Sequence, residues 1–283
     1  MNPQATQNAP RIETELEPIL ISAPFGNYIQ PAGATPTLGT FTPKARGGRV
    51  WRIVKTVRYS FSLDAWTNRI GLRNPGMPWL VKQAKAGRKK VTHTLVSIHG
   101  FDRADWSSLI AMAADINPLA IELNMSCPNV GEASSDDGLF DEAVASAVPV
   151  VVKLPPVRFQ AMAEQALAAG VWGFHACNTL PVRGGGMSGA PLHPIALRCV
   201  QDLRQLATGT ATRIIGGGGI TRTHHIDAFI DAGAHYVALG TKTMDPRLLV
   251  TDGPVRELIA HAHNKIPKPK PINTQPEAEG SGI

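Results

Sequence analysis

Eight short apolar runs rich in Val and Ile, at residues 19–23, 52–57, 94–98, 120–124, 150–154, 172–177, 213–217 and 236–240, most constrain what this chain can fold into. Between them, residues 79–88, 103–116, 158–169, 195–206 and 223–232 space their apolar side chains as amphipathic helices do. Short strand alternating with longer helix is the pattern of βα units around a parallel sheet. Runs such as Val150-Val151-Val152 are apolar without alternation, as strands covered on both faces should be. Eight units in 283 residues with 43% hydrophobic content fit one closed core. The expectation is an α/β chain forming a single-domain (β/α)8 TIM barrel over residues 18–264. A flexible segment is expected at 1–17 and a flexible Pro-rich tail at 265–283. An open doubly wound sheet is the runner-up, but it usually carries GxGxxG after its first strand, and here that turn reads Ser22-Ala23-Pro24-Phe25-Gly26.

Composition removes several function classes. No apolar stretch reaches the roughly 18–20 residues that span a bilayer. The first residues are polar and carry Glu13, Glu15 and Glu17, unlike a signal peptide. Three cysteines, Cys127, Cys177 and Cys199, without CxxC spacing argue against a disulfide framework, a zinc site or an iron–sulfur cluster held by this chain alone. The expected setting is reducing and cytoplasmic, with no membrane partner. A net charge of +6 suits anionic small molecules; the cations look scattered, with no basic helix, so nucleic acid is not expected.

In a barrel of this kind the chemistry gathers where strands end and loops begin. The polar residues of this sequence fall there. Asn124-Met125-Ser126-Cys127-Pro128-Asn129 follows the fourth run, Lys153 ends the fifth, Asn178 and Thr179 follow the sixth, Gly216 to Gly219 end the seventh, and Gly240-Thr241 end the eighth. Singly, each has an ordinary explanation: an inert packed thiol, a turn asparagine, a tight glycine turn. Five successive strand ends together point to a site. Glycines after the last two strands are where such barrels bind phosphate through bare backbone amides.

The segment Ile121 to Val130, IELNMSCPNV, is very similar to the active-site signature of dihydroorotate dehydrogenases and of the pyrimidine-reducing domain of dihydropyrimidine dehydrogenase. Val152 to Pro156, Asn178-Thr179, GGMSGAPLHPIAL from Gly185, IIGGGGI from Ile214 and AGAHYVALGT from Ala232 resemble the family's later motifs in order. Upstream, Lys55-Thr56 resembles its second-strand lysine, and Asn68 to Gly76 the asparagine loop that follows. The resemblance covers roughly residues 19 to 250.

That resemblance implies FMN at the barrel mouth, contacted by Ala23, Lys55, Thr56, Asn124, Lys153, Asn178, Gly189, Gly218, Gly219, Gly240 and Thr241. It implies oxidation of dihydroorotate to orotate in pyrimidine biosynthesis. Cys127 stands at the family's base position, as in its class 1 rather than its membrane-associated, serine-bearing class. Lys153 is the cation beside the flavin, and Lys55, Asn68, Asn124, Asn129, Asn178 and Thr179 hold the substrate. It also implies a homodimer that discharges electrons to a soluble acceptor or a partner electron-transfer subunit, and no metal. The first strand, residues 30–48 and residues 130–147 depart from the family pattern. Another dihydropyrimidine or unsaturated ring is therefore an alternative substrate, and a flavin-free phosphate-binding lyase or isomerase is the alternative from another class.

Overall fold

The computed structural model describes residues 11–125, 138–183 and 185–267. Along the chain run β1 (Ile19–Ile21), β2 (Thr35–Phe41), α1 (Arg49–Thr56), β3 (Arg58–Ser60), β4 (Ala65–Asn68), α2 (Met77–Lys85), β5 (Leu95–Ile98) and α3 (Arg103–Asp115). They are followed by β6 (Ala120–Asn124), α4 (Leu139–Ala145), β7 (Val150–Lys153), α5 (Gln160–Ala168), β8 (Gly173–Ala176), β9 (Leu180–Val182) and β10 (Gly185–Gly189). The chain then adds α6 (His193–Leu206), β11 (Arg213–Gly217), α7 (Thr223–Asp231), β12 (Tyr236–Leu239) and α8 (Gly253–Lys265). Eight strands close in the order β1, β12, β11, β8, β7, β6, β5, β2, and every pairing is parallel. The chain is a (β/α)8 barrel.

Strand alternation sorts the side chains into two cores. Ile19, Ile21, Ile121, Leu123, Val150, Val152, Phe174, Ile214 and Val237 pack outward against the helices. On α3, Trp106, Leu109, Ile110 and Ala113 are the buried stripe, and Asp102 caps the helix by accepting from Asp105 N at 2.8 Å. Leu20, Leu95, Val151, Ile215 and Tyr236 form a second, inner cluster together with Ile12 and Leu16. The expectation of a flexible segment at 1–17 therefore fails for residues 11–17. Residues 11–15 are helical, Ile12 and Leu16 are fully buried, and Glu13 pairs with Arg213 at 2.9 Å.

Seven of the eight expected strands are in place; the second is not. That strand is Thr35–Phe41, TPTLGTF, whose threonines disguise it. Two of its three hydroxyls find partners: Thr35 Oγ1 accepts from Glu17 N at 2.9 Å, and Thr40 Oγ1 meets Ser97 Oγ at 2.9 Å and accepts from Asn124 Nδ2 at 2.9 Å, whereas Thr37 Oγ1 is buried without a partner among the described residues. Residues 52–57 instead belong mainly to α1, which buries no residue. Its hydrogen bonds are local, among them Val57 N to Ile53 O at 3.0 Å and Thr56 Oγ1 to Arg52 O at 2.7 Å. Beyond α1, β3, β4, β10 and β9 form a separate antiparallel sheet, with Asn68 opposite Gly186.

Candidate active site

A cavity of about 620 Å³ opens at the C-terminal ends of the barrel strands, with the antiparallel sheet as one wall. Its size suits a cofactor together with a small substrate. The register places Asn124, Lys153 and His175 side by side on β6, β7 and β8. All three line the cavity and all are buried.

Below Asn124, Glu122 is fully buried and its Oε2 lies 2.7 Å from His175 Nδ1. Burial alone would raise the Glu122 value, but the Lys153 charge and the hydrogen bond from His175 outweigh it and hold the carboxyl down at about 2. For His175, burial and the Lys153 charge lower the imidazole value, against the opposing pull of Glu122. The arrangement is thus an ionised carboxylate accepting from a neutral imidazole. His99 is also held neutral, first by burial, and its Nδ1 lies 2.8 Å from Asn124 O. Asn124 is fixed from two sides, since its Nδ2 donates to Thr40 and its Oδ1 accepts from Asn178 Nδ2 at 3.4 Å.

Lys153 is only 5% exposed, yet its ammonium makes no hydrogen bond or ion pair with the described residues. A buried cation in that condition is costly unless an anionic or electron-rich group comes to it. Around the cavity stand four more cations, Arg49, Arg69, Arg73 and Arg183, and no Asp or Glu is among the described lining residues. The turn at Gly71 and Leu72 has φ of 67° and 51°, a strained backbone for leucine. The amides of Gly71 and Leu72 donate to no described residue.

On the β11 and β12 side the wall is bare backbone. A Cβ on Gly240 would have nothing nearer than Ser22, at 4.0 Å, so a side chain there would grow into open cavity. Gly218 has φ of 143°, and a Cβ on it would stand 2.7 Å from Ala196 Cβ. Glycine is required there by packing as well as by conformation.

The residues expected from the sequence separate into groups. Ala23, Asn68, Asn124, Lys153, Asn178, Thr179, Gly218, Gly240 and Thr241 all line the cavity. Gly189 and Gly219 do not; they brace β10 against the glycine loop, where a Cβ on Gly219 would lie 2.6 Å from Gly189 O. Lys55 and Thr56 are corrected: they sit on α1, Lys55 is exposed, and neither reaches the cavity. The second barrel strand itself carries no lysine. Cys127 and Asn129 lie outside the described residues. Sequence reasoning missed Glu122, His175 and the four arginines. The signal for the first two was a charged or polar residue inside an apolar strand run.

The profile of the family described as Dihydroorotate dehydrogenase matches residues 29–251. The chain is 31% identical over 253 residues to the dihydroorotate dehydrogenase B (NAD(+)) catalytic subunit of Alkaliphilus metalliredigens, covering 80% of this chain and 82% of that one. It is 30% identical over 214 residues to the dihydroorotate dehydrogenase A (fumarate) of Lactobacillus delbrueckii subsp. bulgaricus, covering 65% and 69%. Among solved structures, the DHODH of Eimeria tenella in complex with ferulenol superposes with a TM-score of 0.64 at 20% identity, covering 88% of this chain and 81% of that one.

Proposed function

This chain belongs to the dihydroorotate dehydrogenase family, and we propose that it uses FMN to oxidise dihydroorotate to orotate. The observation that carries the reading is Lys153: a buried ammonium with no hydrogen bond or ion pair to the described residues, in one row with Asn124, at a cavity edged by glycine. The residues present fit FMN. Gly218, Gly240 and Thr241 offer backbone where a phosphate is to be bound, and Gly240 leaves space that any side chain would fill. When bound, the flavin supplies the hydride acceptor of the reaction.

The chain's own residues do the rest. Lys153 stabilises the negative charge that gathers on the reduced ring. Asn68, Asn124 and Asn178 offer donor and acceptor from one side chain each, as a ring with several amide groups requires. The arginines and the amides of Gly71 and Leu72 give an anionic substituent a seat. Oxidising a dihydropyrimidine also removes a proton from the carbon next to the hydride donor, and Cys127 is the base for it, with Asn129 as a further substrate contact. A soluble acceptor or a partner electron-transfer subunit would take up the electrons, and the working form is a homodimer in the cytoplasm. No helix of the described residues is long and apolar enough to cross a membrane.

One observation favours a second substrate within the same chemistry. With Lys55 on an exposed helix and no lysine on β2, the family's second-strand cation is missing, which suits another dihydropyrimidine. The deciding experiment is an absorption spectrum of the purified protein followed by anaerobic titration with dihydroorotate and, separately, with dihydrouracil. Bleaching of the flavin band by dihydroorotate supports the first reading and bleaching by dihydrouracil alone supports the second. A colourless protein that takes up no FMN sinks both.

A further inference from the structure

Residues 44–63 do not serve the cavity as a group, and they are the most unusual surface of the molecule. We propose that this segment seats the protein reversibly on an anionic lipid surface. Helix α1 buries none of its residues: Val50 is 75% exposed, Trp51 68% and Val54 66%. The chain leaves α1 directly into β3, and the turn from β3 to β4 presents Phe61 at 91% and Leu63 at 54% exposure. Water-exposed aromatic and branched side chains in one short stretch mark a contact surface.

Charge identifies what the surface meets. Lys44, Arg46, Arg49, Arg52, Lys55 and Arg58 fall within fifteen residues, and no Asp or Glu occurs between Glu17 and Asp64. Asp64, the first acid after the run, accepts from Tyr59 Oη at 2.6 Å. Arg49 is turned to the cavity rim, Arg46 lies over the Phe101 ring and Arg58 donates to Val54 O and Val57 O, which leaves the exposed Lys44 and Lys55, with Arg52 half-buried, for the surface. A short helix with Val and Trp between arginines, continued by an exposed Phe and Leu, has the chemistry of an element lying in a headgroup layer. The aliphatic and aromatic groups enter the acyl boundary while the cations meet lipid phosphates. Protein interfaces are enriched in Trp, Phe and Arg too, but they keep charged residues out of their dry apolar centre. Here the apolar residues are interleaved with cations, so the lipid surface is the better match.

The test uses the full chain and sedimentation with two kinds of vesicle, phosphatidylcholine alone and phosphatidylcholine mixed with phosphatidylglycerol. Binding is expected to the second kind only and to weaken with added salt, because the attraction acts within a Debye length. Lys44→Glu with Lys55→Glu, two exposed side chains, should weaken it at least about tenfold. Trp51→Ser with Phe61→Ser should weaken it as well, and because these four side chains are on the surface, both variants should keep the parent melting temperature. No binding to the anionic vesicles overturns the proposal, as does equal binding by parent and variants. Two further outcomes also overturn it: self-association that Trp51→Ser with Phe61→Ser abolishes, which assigns the face to a second copy, and affinity for short RNA duplexes without affinity for vesicles.

Discussion

His175 and Glu122 meet across the width of β7, with Nδ1 and Oε2 2.7 Å apart and both side chains closed to solvent inside the barrel. Glu122 lies beneath the row of Asn124, Lys153 and His175, so the polar floor of the cavity rests on a buried interaction. Removing one partner of such a pair leaves the other buried and unsatisfied. Glu122→Ala is expected to cost about 1–3 kcal/mol, read from denaturant unfolding; a loss no larger than that of an exposed glutamate would show the pair to be dispensable.

The same pair sets a pH dependence whose sign can be worked out. The Glu122 carboxyl is held at about 2 in the folded chain, below its ordinary 4.5, so its contribution is present above about 4.5 and is lost as pH falls toward 2. The His175 value is lowered from 6.5, so below that pH the unfolded chain takes up a proton that the folded chain resists, and stability again falls with pH. His225, held at about 4 by burial and by the neighbouring His193 and His224, acts in the same direction. The melting temperature should drop steadily from pH 7 to pH 4, and Glu122→Gln should flatten the part below 4.5. A parent curve that is flat or rises toward acid would contradict the assigned protonation states.

Gly240 and Gly218 are both glycines at the cavity edge and should respond differently to substitution. Gly240→Val adds atoms to open space, so the expected variant melts with the parent but binds FMN poorly, as measured by fluorescence on titration. Gly218→Val drives a Cβ into Ala196 at a φ that L residues avoid, and the fold itself should suffer. Normal FMN binding by Gly240→Val would place the nucleotide elsewhere.

Lys153→Ala should lower the affinity for flavin or its reduction potential, because the only buried cation in the row is removed. The potential is read by anaerobic dye titration, and an unaltered value together with unaltered affinity would withdraw the role given to Lys153.

Cys127→Ala should keep the flavin and slow its reduction by substrate about 100- to 10000-fold, the range for a general base. Stopped-flow absorbance measures this directly, and equal rates in variant and parent would remove the thiol from the mechanism.

Much of this molecule can be read along the chain. Local pattern fixes the βα alternation, because an apolar run of strand length or a helical stripe reports its own burial through its period alone. It also fixes the strand-end glycines and asparagines, because backbone geometry at a strand end admits few residue types. What the sequence by itself did not determine is which partner each segment finds. TPTLGTF becomes β2 because Ser97 and Asn124, far along the chain, satisfy the Thr40 hydroxyl within the barrel. RVWRIVKT has the Val and Ile of a strand but becomes a helix, making its hydrogen bonds locally and leaving Lys55 on the surface. Burial of Glu122 beside His175, and of Lys153 with no hydrogen bond to the described residues, likewise exists only once β6, β7 and β8 stand in register. The reason is physical: hydrophobic period is a property of neighbours along the chain, whereas satisfaction of a buried polar group is a property of neighbours in space.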